Sequence, residues 1–396
     1  NYTSERGANK INCPQALIQE VYARLIEPYI KNFIDSYASI KGSANNMASA
    51  FFLLCYHLKF VSMFKYYLNP VQIAGALAML AATSVDAPFL AYRKTLLTAY
   101  NSIMSMSGYE VVDKLNAVVD TTSFYRKYFA NPQCVQIEFD PKVSLSDPLL
   151  QNEDVFNVVQ ALVVRLHELT MRDAGFIDDQ VVSCFKLLML KANVQKNDVL
   201  YNLYRALVKH FTSLLLADKL PLNYGTIDNV FEIIGNFIRK VDARPMSKPE
   251  LVAVQDDLLG CFAKGHIELN NLIIQVFCVI VREYKPNIAG DATYKGLLDS
   301  CLNPANYTLD FVCIFPAYFY YIQQCIGVSG DILQACLPQV TVCLDKLLQF
   351  KMLKPYFNFT QFLCVNGLQV DFALSKTFEG LGRALAWPDT QTTVCI

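Results

Sequence analysis

The feature that most constrains the fold is the segment 311–330, whose twenty residues carry no formal charge. A helix that is apolar on every side must be buried on every side, in a protein core, a bilayer or an interface. We interpret the segment as a buried helix. Its aromatic side chains are the candidate core or assembly residues: Phe311, Phe315, Tyr318, Phe319, Tyr320 and Tyr321.

The same segment is long enough to cross a membrane, and residues 66–85 form a second uncharged stretch of equal length. Pro316, Gln323 and Gln324 interrupt the first stretch. Neither stretch has the basic flank that fixes the orientation of a membrane span. We therefore predict no membrane span and place both stretches in the protein interior.

The chain is poor in charge. Charged residues make up 17% of the sequence, whereas a typical soluble domain has about 25%. Obligate interfaces are depleted in charge and enriched in aromatic residues, and this chain has 22 Tyr and 26 Phe. We therefore favour an assembly of several copies over a free monomer whose surface is covered by uncharged polar residues.

The net charge of −1 argues against nucleic-acid binding by the chain as a whole, because phosphate binding depends on clustered Lys and Arg. One basic group remains, and it could face RNA through non-specific phosphate contacts. A solvated helix face is the simpler interpretation of the same residues, which are Lys186, Lys191, Lys196, Arg205 and Lys209.

Helical periodicity dominates the chain, and the linkers are short and carry Gly, Pro, Asn or Asp. Short loops between helices of this length predict antiparallel neighbours. We therefore predict an all-α fold, a multi-helix array with one irregular region. The predicted divisions are a polar arm at 1–13, an N-terminal helical half at 14–130, an irregular linker at 131–151, a C-terminal helical half at 152–386 and an extended tail at 387–396.

Within the irregular linker, residues 135–139 alternate apolar and polar side chains and predict a lone strand. After it, helix starts recur every 20 to 25 residues, so that pairs recur near the period of HEAT-type repeats. No residue pattern repeats at that period. The helices predicted here are 153–172, 178–191, 198–217, 227–241, 248–263, 268–284, 292–302, 308–327, 331–352, 359–365 and 372–385.

No motif in the sequence points to chemistry. His167 and Glu168 begin a zinc-protease pattern, but the second histidine that the motif needs is replaced by Met171. The sequence contains no phosphate-binding glycine loop and no local nucleophile with a base. We therefore predict a protein that is not an enzyme, with no catalytic residue, cofactor or metal site.

The 13 cysteines include no CxxC pair, and most lie within apolar helical runs. A free thiol in such a place behaves as a small hydrophobe. The odd number and the length of the chain favour a reducing, intracellular setting over a secreted disulfide framework, and no secretory signal pattern is recognisable.

In overall character the chain resembles the coat proteins of partitivirus-type double-stranded RNA viruses. The resemblance rests on its low charge, its aromatic content, runs such as NPVQIAGALAMLAATS and FPAYFYYIQQ, and the irregular region at 131–151. It implies a mainly helical protein that assembles as dimers into a thin shell, with an N-terminal arm lining the inside.

Two hypotheses follow. The first is a non-enzymatic, self-assembling coat protein that encloses RNA, located in the virion and the host cytoplasm. The alternative is an intracellular HEAT-like α-solenoid scaffold that binds a protein partner in a concave groove, located in the cytoplasm. Regular helix spacing favours the solenoid, whereas the charge deficit favours the shell.

Overall fold

The computed structural model describes residues 15–29, 32, 93–104, 153–192, 194–220, 223–239 and 244–386. These residues form α-helices joined by short connections, and no strand occurs among them, which confirms the all-α prediction. The predicted polar arm at 1–13, the predicted irregular linker at 131–151 with the strand expected at 135–139, and the predicted tail at 387–396 lie outside the described residues.

Thirteen α-helices occur in the described part of the chain. They are α1 (Gln15–Val21), α2 (Arg93–Met104), α3 (Glu153–Arg172), α4 (Asp179–Lys191), α5 (Asp198–Leu216), α6 (Tyr224–Ile238), α7 (Lys248–Phe262), α8 (Ile267–Tyr284), α9 (Ala292–Cys301), α10 (Phe315–Val328), α11 (Asp331–Gln349), α12 (Leu353–Val365) and α13 (Val370–Ala386).

Side-chain caps fix several of these helix starts. Asp178 accepts hydrogen bonds from two backbone N–H groups at the start of α4, and Asn197 accepts one at the start of α5. Ser247 and Glu250 form a capping box at the start of α7. Such residues satisfy backbone donors that the first helical turn leaves unpaired, which is why the sequence locates these starts to within a residue.

Prolines explain two boundaries that the sequence analysis placed wrongly. The predicted helix 308–327 is divided, because Leu309–Ile314 forms a 3₁₀ turn and the α-helix begins at Phe315 with Pro316 in its first turn. Proline favours the first turn of an α-helix, where its missing N–H costs nothing. The helix predicted at 359–365 begins earlier, at Leu353, with Pro355 again in the first turn.

The described residues up to Ile233 belong to one compact unit and those from Ile234 onward to a second. In the first unit α2 packs on α4, and α3 packs on α4 and α5. Arg93 of α2 is 3.0 Å from the Asp178 carboxylate at the start of α4. Asn101 of α2 donates to the backbone carbonyl of Gln180 at 2.9 Å. These bonds hold α2 in register along α4.

In the second unit α8 is the most deeply buried element. Every residue from Leu269 to Val281 is buried, on all faces of the helix. The run includes Asn270, Asn271 and Gln275, and Gln275 donates to the Asn271 side chain at 3.3 Å. α10 packs on α8, and α12 packs on α10, while α13 packs on α12.

Candidate functional site

The aromatic residues of α10 form the centre of a ring cluster. Tyr307, from the connection before α10, has its ring centroid 4.6 Å from that of Phe315 and 6.1 Å from that of Phe319. Phe319 also meets Phe359 of α12 edge to face, with centroids 5.3 Å apart. Aromatic pairs at such separations add stabilisation beyond the area they bury.

The structure divides the six predicted aromatic residues into two groups. Phe315, Tyr318, Phe319 and Tyr321 are buried, whereas Phe311 and Tyr320 are only partly buried. Tyr321 donates from its hydroxyl to the backbone carbonyl of Tyr294 at 3.3 Å. The four buried rings pack inside their own chain, so their surfaces are already covered without a second copy.

Tyr307 is a member of this cluster that the sequence analysis did not select. Its hydroxyl donates to the backbone carbonyl of Cys301 at 2.8 Å, and it is 2% exposed. Burial, the largest cause, together with nearby thiols, raises the pKa of Tyr307 well above its usual value. Since Tyr307 lies in a short connection between 3₁₀ turns, helical periodicity gives no signal for it.

The cysteines that the structure describes form no disulfide, and all but Cys364 are buried. Burial raises the pKa of Cys325 to about 12 and that of Cys343 to about 11. A thiol must ionise to act as a nucleophile or a metal ligand. These cysteines therefore serve as small apolar side chains.

The predicted basic group does not form one open face. Lys186 is 2.7 Å from the Glu232 carboxylate and also donates to Asn229 at 3.0 Å, so its charge is neutralised by α6. Lys191 is partly buried. Three exposed members remain, namely Lys196, Arg205 and Lys209, of which the last two lie one turn apart on α5.

Metal ligands do not cluster in the described residues, where no group of three or more His, Cys, Asp or Glu side chains could hold an ion. His167 of α3 and His210 of α5 come close together, and His210 contacts the backbone carbonyl of Thr170 at 3.2 Å. Burial lowers the pKa of both histidines, and the charge of His210 lowers that of His167 further.

The 20 residues Leu309–Val328 are long and apolar enough to cross a membrane, with a mean hydropathy of 1.3. Their apolar window is 56% buried inside the chain. Packing of α10 on α8, α9, α11 and α12 accounts for this burial. The contacts favour a core position, and the absence of a membrane span stays a prediction.

A second apolar feature of the second unit lies on α13. Val370, Leu374, Phe378 and Leu385 follow one another at intervals of four, four and seven residues, and all four side chains are exposed. Their spacing is visible in the sequence. An apolar stripe on a helix ordinarily faces the core, so the spacing alone does not indicate that these side chains are exposed.

No known protein family, curated protein or solved structure matches this chain.

Proposed function

We propose that this chain is a non-enzymatic structural protein that assembles with further copies of itself, as the coat of a virus that encloses RNA. Its place is then the virion and the cytoplasm of the host cell. The proposal draws on the resemblance to partitivirus-type coat proteins and on the way the chain distributes its apolar surface.

The observation that carries the proposal is the apolar surface left uncovered near the C-terminal end of the described residues. Five large apolar side chains between positions 365 and 385 are exposed, namely Val365, Val370, Leu374, Phe378 and Leu385. Exposed apolar surface that exceeds scattered single residues marks contacts with other proteins. In a chain with only 17% charged residues, coverage by further copies accounts for both features.

Contact with RNA is the weaker part of the proposal. Lys196, Arg205 and Lys209 are exposed, and phosphate contact by such residues carries no sequence specificity. Since Lys186 is paired with Glu232, the contribution of this region to RNA binding is small. We expect it to weaken further as salt is raised.

One observation favours the alternative of a solenoid scaffold. In the second unit α8 packs on α10 and α10 packs on α12, so each helix contacts the second helix along the chain. Stacked helix pairs in solenoids have this arrangement. Against it, α8 is buried on all faces from Leu269 to Val281, whereas a helix in a two-layered solenoid keeps one face toward solvent.

Sedimentation velocity of the purified full chain in moderate salt separates the two functions. The coat proposal predicts large closed particles, visible as shells in electron micrographs of the same sample. A chain that stays monomeric at every concentration tested contradicts the coat proposal and agrees with the scaffold.

A further inference from the structure

The helix α13 fully buries only small residues and exposes four of its large apolar side chains. Ala373, Gly380 and Ala384 are its buried residues. On the opposite side Phe378 is 70% exposed, Leu385 is 68% exposed and Leu374 is 44% exposed. A helix of a self-sufficient monomer has the reverse arrangement, with its large apolar residues facing the core.

Close packing on α12 requires the small inward residues. A Cβ atom added at Gly380 would lie 2.6 Å from Cε1 of Tyr356 and 3.2 Å from a ring carbon of Phe357. The Tyr356 hydroxyl also donates to the Lys376 carbonyl at 2.6 Å. The orientation of α13 is therefore fixed by specific contacts, and the outward position of Phe378 follows from them.

The charges of α13 favour an uncharged partner. Lys376 is 3.0 Å from Asp345 and 2.9 Å from Glu379, and Arg383 is 2.8 Å from Glu379. These pairs lie along the flank of the helix and neutralise one another. The outward face itself carries only Asp371 among charged residues. A surface of this kind is complementary to another apolar surface, such as the same face on a second copy.

The size of the face suits the centre of an interface between copies. A standard interface buries about 800 Å² on each partner, and the four exposed apolar side chains supply part of that area. Interfaces combine such an apolar centre with a polar rim. The neighbouring Ser375 and Asp371 are exposed and available for that rim.

The shape of the face is complementary to itself. Gly382 lies one turn after Phe378, and a Cβ atom built on it would meet no described residue within 4 Å other than its chain neighbours and the backbone of its own helix. The face thus presents a protruding ring beside a gap. In a two-fold contact the same patch meets itself, so residue i contacts j and j contacts i.

We propose that α13 pairs two copies of this chain, antiparallel about a two-fold axis, with Phe378 of each copy packed over Gly382 of the other. The inference rests on the proposed function, since it names the contact by which copies assemble. The occupant of the face is a second copy, because a two-fold axis level with residue 380 places each Phe378 ring over Gly382 of the other copy and brings two largely apolar surfaces together.

Sedimentation velocity of full-length variants tests the contact. We expect Phe378→Lys to weaken association by more than about tenfold, as for residues at the centre of an interface. Leu309→Lys is the matched control, since Leu309 is 72% exposed in the same unit but lies outside α13. Equal loss in both variants, or no loss in Phe378→Lys while the wild type assembles, overturns the inference.

A second variant separates association from folding. Gly382→Leu fills the gap without meeting a neighbour and replaces glycine in a helix, so thermal unfolding should occur at the same temperature or higher. The same variant should associate more than about tenfold more weakly. Gly382→Leu that associates as well as the wild type contradicts the contact.

A photo-crosslinking phenylalanine analogue at position 378 identifies what the ring touches. The expected product is a covalent dimer joined near Gly382 of the partner copy. A crosslink within the same chain, or to a distant part of a second copy, overturns the inference. If the wild-type chain itself proves monomeric, the proposed function fails as well, and this outcome is distinguishable from an assembly that survives Phe378→Lys.

Discussion

The helices α10 and α13 belong to the same unit, but α10 buries its large apolar side chains whereas α13 exposes several of its own. α10 buries eight of its 14 residues, including Phe315, Phe319 and Tyr321. α13 has 17 residues and buries only two alanines and a glycine, while Phe378 and Leu385 stay outside. The chain thus completes its own core around α10 and leaves Phe378 and Leu385 of α13 exposed.

The largest expected effect compares one phenylalanine from each helix. Phe319→Ala should lower the free energy of unfolding by about 3–5 kcal/mol, because a buried ring is lost and a cavity remains. Phe378→Ala in the monomer should change it by less than about 0.5 kcal/mol, as at other exposed positions. Urea unfolding followed by circular dichroism measures both. Similar losses in the two variants would mean that Phe378 is part of the core.

A pair of glycines on α13 gives the next largest effect. Gly380→Ala should destabilise the chain by about 1–3 kcal/mol, since the added methyl group overlaps the Tyr356 ring. Gly382→Ala meets no described neighbour and should stabilise the monomer by about 0.5–1 kcal/mol through better helix propensity. The same urea titration applies. Opposite signs of the two changes in unfolding free energy support Gly380 as inward and Gly382 as outward. Equal signs contradict this assignment.

The histidines His167 and His210 of the first unit are partly buried, so their exposure lies between that of the α10 core and that of the open face of α13. Burial holds the pKa of each below its ordinary value, so below about pH 6.5 the unfolded chain binds more protons than the folded one. Stability should therefore fall as the pH drops from about 7 to 5.

Replacing both of these histidines with glutamine should flatten that fall, as measured by urea unfolding at a series of pH values. His266→Gln is the control, because His266 is exposed. An unchanged slope in the double variant would show that the two histidines do not titrate differently on folding.

The smallest expected effect concerns the exposed cations of α5. If they contact RNA, Arg205→Gln combined with Lys209→Gln should reduce the slope of log affinity against log salt by about 2. Lys186→Met should leave the slope unchanged, because Lys186 is already paired with Glu232. Fluorescence titration with a duplex RNA at several salt concentrations provides the measurement. A larger change in the Lys186 variant would show that Lys186, and not Arg205 and Lys209, contacts the RNA.

Much of the fold could be predicted from local signals in the sequence. Helices α3, α5 and α7 begin where predicted, because their first turns carry acidic residues or caps such as Asn197 and Ser247. The 3₁₀ turn before α10 was missed, since Leu309–Ile314 is as apolar as the helix that follows. Apolar periodicity does not distinguish a short 3₁₀ turn from the beginning of an α-helix.

The candidate site was less predictable, because its decisive property is which face of a helix is covered. The sequence pointed to residues 311–330 as the most apolar segment, and the structure buries four of the six aromatic residues selected there. The sequence gives no sign that α8 is the deepest helix, because Asn270, Asn271 and Gln275 interrupt its apolar run. The exposed stripe of α13 has the spacing of an ordinary core face, and only tertiary packing shows that it points outward.

Hydrogen exchange, read by mass spectrometry at low and high protein concentration, tests the central claim most directly. Contacts between copies slow hydrogen exchange where they form. Segments buried within one chain exchange at the same rate at both concentrations. We predict that peptides from α13 exchange more slowly at high concentration and that peptides from α10 exchange equally slowly at both. Unchanged exchange in α13 under conditions where the chain assembles would contradict the claim that other copies cover this helix.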